Sequence, residues 1–188
     1  MKRLFITGIP TSGKSYLACK LAAAVGGTAV ILDDFRESLA KDERYSKWVS
    51  FYLNQDELAY YTNTKPDDQW RSLVAQSDAL WPAMKKKIAE YAYDPKPVIF
   101  ECVNLLPHLT KRELDFPGVV LIGSSFEEVR KRNNQEPRWG DTKELQKLEA
   151  ESFFNVERPR YKAEAEKYGY PVFETADEAY TNALELLK

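Results

Sequence analysis

Eight residues near the N-terminus, Gly8-Ile9-Pro10-Thr11-Ser12-Gly13-Lys14-Ser15, constrain this chain more than any others. They match the pattern G-x-x-x-x-G-K-[S/T] at every specified position. The apolar run from Arg3 to Thr7 precedes them and reads as a buried strand. Behind them Leu17, Leu21 and Val25 recur four apart, with Ala18 and Ala22 beside them, and Gly26-Gly27 supplies a helix stop. In a strand–loop–helix unit of this kind the loop's backbone N–H groups converge on phosphate oxygens, and the helix N-terminus adds a partial positive charge. Gly8 and Gly13 permit the backbone shape, Lys14 is placed to reach β- and γ-phosphates, and the Ser15 hydroxyl is placed to ligate Mg²⁺. Thr11, Ser12 and Tyr16 complete the expected nucleotide-binding set. The bland alternative is a chance glycine turn capped by Ser12, and the register of strand, loop, helix and terminating glycine argues against it.

Four further apolar runs follow, Thr28 to Leu32, Val98 to Phe100, Val119 to Ile122 and Pro171 to Phe173, each succeeded by polar residues. Short continuous apolar strands alternating with helices predict an α/β fold with a parallel sheet covered on both faces. One domain spanning 1–188 is the default at this length. The segment from Phe35 to Asp94 is too long for a simple crossover and reads as extra helices over the carboxyl edge of the sheet, with 39–95 as the expected acceptor region. Lys143 to Tyr168 is a second long helical stretch, with Pro159 as a candidate interruption.

Hydrophobic residues at 44% and charged residues at 30% are ordinary globular proportions, and the net charge of -2 gives no bulk attraction to nucleic acid. The run Lys85-Lys86-Lys87 reads as a solvated helix face. No apolar stretch approaches the roughly 20 residues needed to span a bilayer, and the start MKRLFITGIP breaks at a turn too early for an export signal. A cytoplasmic protein, monomer or homodimer, is expected. Cys19 and Cys102 are expected to be two buried thiols rather than a disulfide.

In open α/β sheets, ligands sit at the carboxyl ends of the strands. Asp33 and Asp34 follow the second predicted strand, and Glu101 follows the third. A carboxylate there can orient an acceptor hydroxyl and take its proton, and Asp33 is the first candidate for that role. The alternative is that one of the two aspartates caps a helix starting near Phe35. Glu101 is placed to hold Mg²⁺, directly or through water, or to pair with Lys14 or an arginine.

These residues resemble the P-loop small-molecule kinases related to nucleoside monophosphate kinases. Leu32-Asp33-Asp34-Phe35 is similar to the DDF segment of nicotinamide riboside and uridine kinases, which implies that Asp33 acts on the acceptor hydroxyl. Val98 to Pro107, VIFECVNLLP, is similar to the VIxEGVxLxP of 2-phosphoglycerate kinase-like proteins, which implies that Glu101 lies near magnesium. Cys102 stands where that pattern has glycine. The resemblance further implies a three-layer P-loop NTPase fold with strand order 2-3-1-4-5, ATP with Mg²⁺, and a lid over about 130–160 whose arginines neutralise the transferred phosphoryl group. Arg130 and Arg138 are the first candidates, with Arg132, Arg158 and Arg160 behind them, and Thr175-Ala176 matches the place that lines the adenine.

The acceptor is expected to be a small molecule held near Asp34, Asn104 and Trp70. Trp48, Phe51, Tyr52, Tyr60, Tyr61, Trp70 and Trp81 concentrate in that region, where they either stack on an acceptor or simply pack the core. His108, beside Pro107, reads as a surface-loop histidine. Two competing functions stay open: a nucleotide-driven switch or ATPase, weakened by the absence of a guanine-selective N-K-x-D segment, and a polynucleotide 5′-hydroxyl kinase, weakened by the balanced charge. Lys14→Ala is expected to abolish ATP binding or turnover, checked by calorimetric titration and ATP consumption; unchanged values would remove the loop assignment.

Overall fold

The computed structural model describes residues 2–51 and 55–187. Strands β1 (Arg3–Gly8), β2 (Thr28–Ile31), β3 (Val98–Glu101), β4 (Gly118–Leu121) and β5 (Val172–Phe173) form one parallel sheet in the order β2-β3-β1-β4-β5. The α-helices are α1 (Lys14–Val25), α2 (Leu32–Ser38), α3 (Ser46–Val49), α4 (Glu57–Asn63), α5 (Pro66–Ala89), α6 (Pro107–Glu113), α7 (Phe126–Gln135), α8 (Lys143–Glu151), α9 (Arg158–Tyr168) and α10 (Ala176–Leu186).

Strand side chains alternate between the two faces, and both faces are covered. Leu4, Ile6, Ile99, Val119 and Leu121 pack with the alanine-rich faces of α1 and α10. Phe5, Val30, Phe100 and Val120 pack on the other face with Leu80 and Met84 of α5 and Tyr161 of α9. Adjacent β1 and β3 lead away in opposite directions, β1 to β2 and β3 to β4, so their carboxyl ends open a crevice. Glu101 lies in register with Ile6 and Ile31 at the mouth of that crevice.

Several boundaries differ from the sequence expectation. β2 ends at Ile31 and α2 begins at Leu32, so both aspartates fall inside the first helical turn; Ile31 occupies the N-cap position, and neither aspartate caps the helix. Cys19 is exposed, on the outward face of α1, and only Cys102 is the expected buried thiol. His108 lies in α6 rather than in a surface loop, with Nδ1 3.1 Å from Glu164 and Nε2 3.8 Å from Asp78. It ties α6 to α9. Pro159 does not break the 143–168 stretch; it sits at the start of α9, directly after a turn with altered helical hydrogen bonding. The irregularity is a π-helical turn, Ser152–Glu157, that joins α8 to α9.

Most aromatics of the helical region are core. Trp81, Tyr60 and Phe51 are buried, while Trp48 and Trp70 are half-buried and pack against the main cluster, Trp70 edge-on to Tyr161. Tyr52 lies outside the described residues. Among the described residues no helix is long and apolar enough to cross a membrane.

α4 rests on α8, where Glu57 faces Glu149. Burial and the neighbouring Glu149 carboxylate push Glu57 up to about 8. The folded protein therefore holds a proton that the unfolded chain releases near its ordinary value, so this pair lowers stability progressively as pH rises from about 4.5 to about 8. Glu57→Gln is expected to raise the melting temperature relative to the wild type at pH 8.5 but not at pH 5. Solvent screening at this partly exposed site limits the gain to about 1 kcal/mol, or about 2–4 °C. Thermal melts at both pH values check it.

Candidate functional site

The glycine loop is shaped by backbone conformations that side chains resist. Gly8 has φ +126°, and a Cβ there would lie 1.9 Å from the carbonyl oxygen of Leu121, so only glycine lets β1 turn this close to β4. Gly13 at φ +95° starts α1. That helix has neither a side-chain cap nor an acidic residue in its first turn, which leaves its N–H groups directed into the loop for an anion. Ser12 is spent internally, its Oγ donating to the Ile9 carbonyl at 2.8 Å. Lys14 is 3% exposed, and its Nζ donates to the same carbonyl at 2.8 Å, so the ammonium lies folded inside the loop. Burial lowers its pKa, and Glu101 is the strongest opposing influence. Ser15 and Tyr16 are exposed at the rim.

At the strand ends, Ser15 Oγ donates to Glu101 Oε1 at 3.2 Å. Glu101 is 1% exposed, and its Oε2 is a buried oxygen with no hydrogen-bond partner among the described residues. Burial raises the pKa of Glu101, against the pull of Lys14. Asp33 is also buried. Burial pushes its carboxyl up, but Arg36 at 3.5 Å, Lys14, Arg138 and the Cys102 thiol together outweigh it and hold Asp33 below the ordinary carboxylate range. Asp33 is therefore ionised at neutral pH.

Cys102, at the position where the similar segment has glycine, points its Sγ at Asp33 Oδ1, 3.3 Å away. Burial drives this thiol well above its ordinary value, so it remains a donor. Asn104 is fully buried and lines neither cavity of the site; its Oδ1 accepts from Arg36 at 3.3 Å, and its Nδ2 donates to Gln76 and Ser77. It supports the arginine that supports Asp33.

These groups face a cleft of about 780 Å³ whose walls include Thr11, Gly13, Lys14, Ser15, Tyr16, Asp33, Asp34 and Glu101, with Arg132 and Arg138 opposite and Thr175-Ala176 at one side. A second cavity, of about 90 Å³, shares Asp33, Glu37 and Arg138 with the cleft and adds Arg36, Tyr61, Gln76, Trp139 and Glu157. Asp33 and Arg138 thus stand at the junction.

Three of the candidate lid arginines fall elsewhere. Arg130 is exposed and does not line the cleft; Arg132 does, with Nη1 3.2 Å from the Thr11 carbonyl. The side of α7 that meets the loop is set by helical phase, which carries the residue two positions on to the cleft. Arg158 binds Gly123 and Glu174, and Arg160 binds Val156 and Asp67, which makes both of them structural ties. Arg138 is positioned by a residue that sequence reasoning missed: the buried carboxylate of Glu149, which accepts from the backbone N–H of Trp139 at 2.8 Å and of Gly140 at 3.1 Å. Trp70 lines neither cavity, whereas Tyr61 and Trp139 do line the smaller one.

No protein-family model and no curated protein matches the chain. Solved structures do. The shikimate kinase of Acinetobacter baumannii, in complex with shikimate, matches at 14% identity and TM-score 0.55, over 99% of this chain and 92% of that one. A provisionally assigned kinase from Chloroflexus aurantiacus matches at 14% identity and TM-score 0.56, over 100% and 98%. The fold is that of the P-loop small-molecule kinases. In a P-loop site, magnesium needs only one or two protein oxygens beside the nucleotide phosphates. Ser15 Oγ and the unpartnered Glu101 Oε2 are oxygens of that kind. Glu101→Gln is expected to weaken the gain in nucleotide affinity on adding Mg²⁺ by about 10–100-fold, with little change in affinity for nucleotide alone. Titrations with and without Mg²⁺ check it; an unchanged gain would remove Glu101 from the metal site.

Proposed function

We propose that this chain is a kinase that transfers the γ-phosphate of ATP to a hydroxyl or phosphate of a small metabolite. The observation that carries the reading is the position of Asp33. It is an ionised, 7% exposed carboxylate that borders both the nucleotide cleft and a second, enclosed cavity. A nucleotide-driven switch has no need of an acid between two cavities, and a net charge of -2 offers no bulk attraction for a polynucleotide.

In this reading the P-loop amides and Lys14 bind the β- and γ-phosphates, which requires the Lys14 ammonium to leave the Ile9 carbonyl for the arriving anion. Ser15 and Glu101 would hold Mg²⁺, which neutralises charge on the phosphates. Thr175 and Ala176 border the adenine side. Asp33 accepts a hydrogen bond from the acceptor hydroxyl, directs one oxygen lone pair at the γ-phosphorus, and takes the proton as the new O–P bond forms and the bond from the γ-phosphorus to the β–γ bridging oxygen breaks, releasing ADP. Its low pKa suits a loose transition state, in which the acceptor proton is transferred late and orientation dominates. Arg138, at the junction, and Arg132 supply positive charge to the phosphoryl group in transit. Asp34, exposed on the cleft wall, is left to contact solvent or the rim of the acceptor. The unpaired cysteines fit a cytoplasmic setting.

A panel of small hydroxylated metabolites with radiolabelled ATP tests the reading, with oligonucleotides as a separate arm. Asp33→Asn is expected to cut kcat by about 10²–10⁴ while nucleotide binding persists. Transfer at the wild-type rate by this variant, or hydrolysis that no acceptor stimulates, would overturn it.

A further inference from the structure

We infer that the acceptor taken by the smaller cavity carries a protonated amine beside the hydroxyl to be phosphorylated, and that Glu157 is the residue that selects it. The inference rests on the kinase reading for the role of the cavity, and on the geometry of Glu157 for its chemistry.

Glu157 ends the π-helical turn between α8 and α9, and its side chain lines the smaller cavity but not the nucleotide cleft. It is 6% exposed, and its Oε2 is buried with no hydrogen-bond partner among the described residues. No arginine or lysine of the described residues makes an ion pair with it, and the only charge that opposes the effect of its burial is the pull of Lys14. Burial pushes its carboxyl up to about 7, so without a partner the group takes up a proton readily, and a cation arriving beside its unpartnered oxygen would favour the ionised form.

Among the other charged groups of the cavity, Arg36 is paired, while Asp33, Arg138 and the exposed Glu37 also border the nucleotide cleft. Arg36 is held by Asp33 and Asn104 and lies 6.0 Å from the ring centroid of Trp139. Asp33 and Arg138 stand at the junction with the cleft, where phosphoryl transfer would occur. Glu157 is therefore the buried acid that lines the smaller cavity alone and has no ion pair among the described residues. An acceptor with its hydroxyl at Asp33 would present its far end to Glu157. An ammonium there draws the acid into its ionised form and makes a charge-assisted pair, a neutral hydroxyl gains only an uncharged hydrogen bond, and a carboxylate keeps the acid protonated at best. A cavity of about 90 Å³ holds only a few non-hydrogen atoms, which fits a short amino alcohol or the amine-bearing end of a longer one.

Matched probes separate these chemistries: 2-aminoethanol, ethane-1,2-diol and glycolate, with 3-aminopropane-1,2-diol, glycerol and glycerate as the longer set. Binding is measured by calorimetry on the full chain with a non-hydrolysable ATP analogue and Mg²⁺, and phosphoryl transfer with labelled ATP. The amino alcohols are expected to bind and to react about 10–100-fold better than their neutral or anionic counterparts, and Glu157→Gln is expected to erase that preference. Retained affinity of the variant for the ATP analogue shows that it is folded, and Glu157→Asp, which keeps the charge, should restore part of the preference. Amine binding that depends on Glu157 without any phosphoryl transfer would uphold the site and overturn the kinase reading. Equal or better binding of the diols or hydroxy acids, no binding of any amine, or a preference that survives Glu157→Gln would overturn the inference.

Discussion

Four charged side chains, Lys14, Asp33, Arg36 and Glu101, lie buried together where β1, β2 and β3 end. Charges so enclosed are tolerable only when they compensate one another and keep their hydrogen bonds. That requirement organises the neighbourhood. Asn104 and Cys102 take their buried positions as partners of Arg36 and Asp33, and Gln76 and Ser77 of α5 follow as partners of Asn104. The network also has open ends, at Glu101 Oε2 and in the folded-back Lys14 ammonium, and those are the ends a nucleotide and its metal would complete.

The sheet makes this concentration of charge affordable. Parallel strands with both faces covered leave polar residues few places except the strand ends, and the order β2-β3-β1-β4-β5 puts three such ends side by side. The tight approach of Gly8 to Leu121 then fixes where the loop leaves the sheet. On the opposite wall the lid is held by Glu149, whose carboxylate gathers the backbone of Trp139 and Gly140 and the side chain of Asn133, so Arg138 faces the junction from a pinned turn rather than from a loose loop.

Local signals were legible in the sequence because they are local. The loop motif, the helix stop at Gly26 and the apolar runs each depend on residues within a few positions of one another, and each reappears in the structure within one or two residues. Where a long-range partner decides the role, sequence reading went astray. Asn104 looked like an acceptor contact and is a buried support for Arg36. Arg130 ranked ahead of Arg132 in the sequence, and the phase of α7 against the loop put the second at the cleft instead. The aromatics of α4 and α5 matched stacking and packing equally well, and packing took most of them. Glu57, Glu149 and Glu157 gave no signal, since an acid on a charged helix is ordinarily solvated.

The sequence by itself determined an α/β chain built around a glycine-rich strand–loop–helix unit, because strand periodicity, glycine conformational freedom and the placing of Lys14 and Ser15 are fixed by neighbours in the chain. Only the tertiary structure decided which acids are ionised, which arginines face the cleft, and that a second cavity lies beyond Asp33 with Glu157 in its wall. Those properties arise from burial and from charges brought together across β2, β3, α2, α5 and the turn before α9. Desolvation and Coulombic pairing depend on distances that no short stretch of sequence specifies.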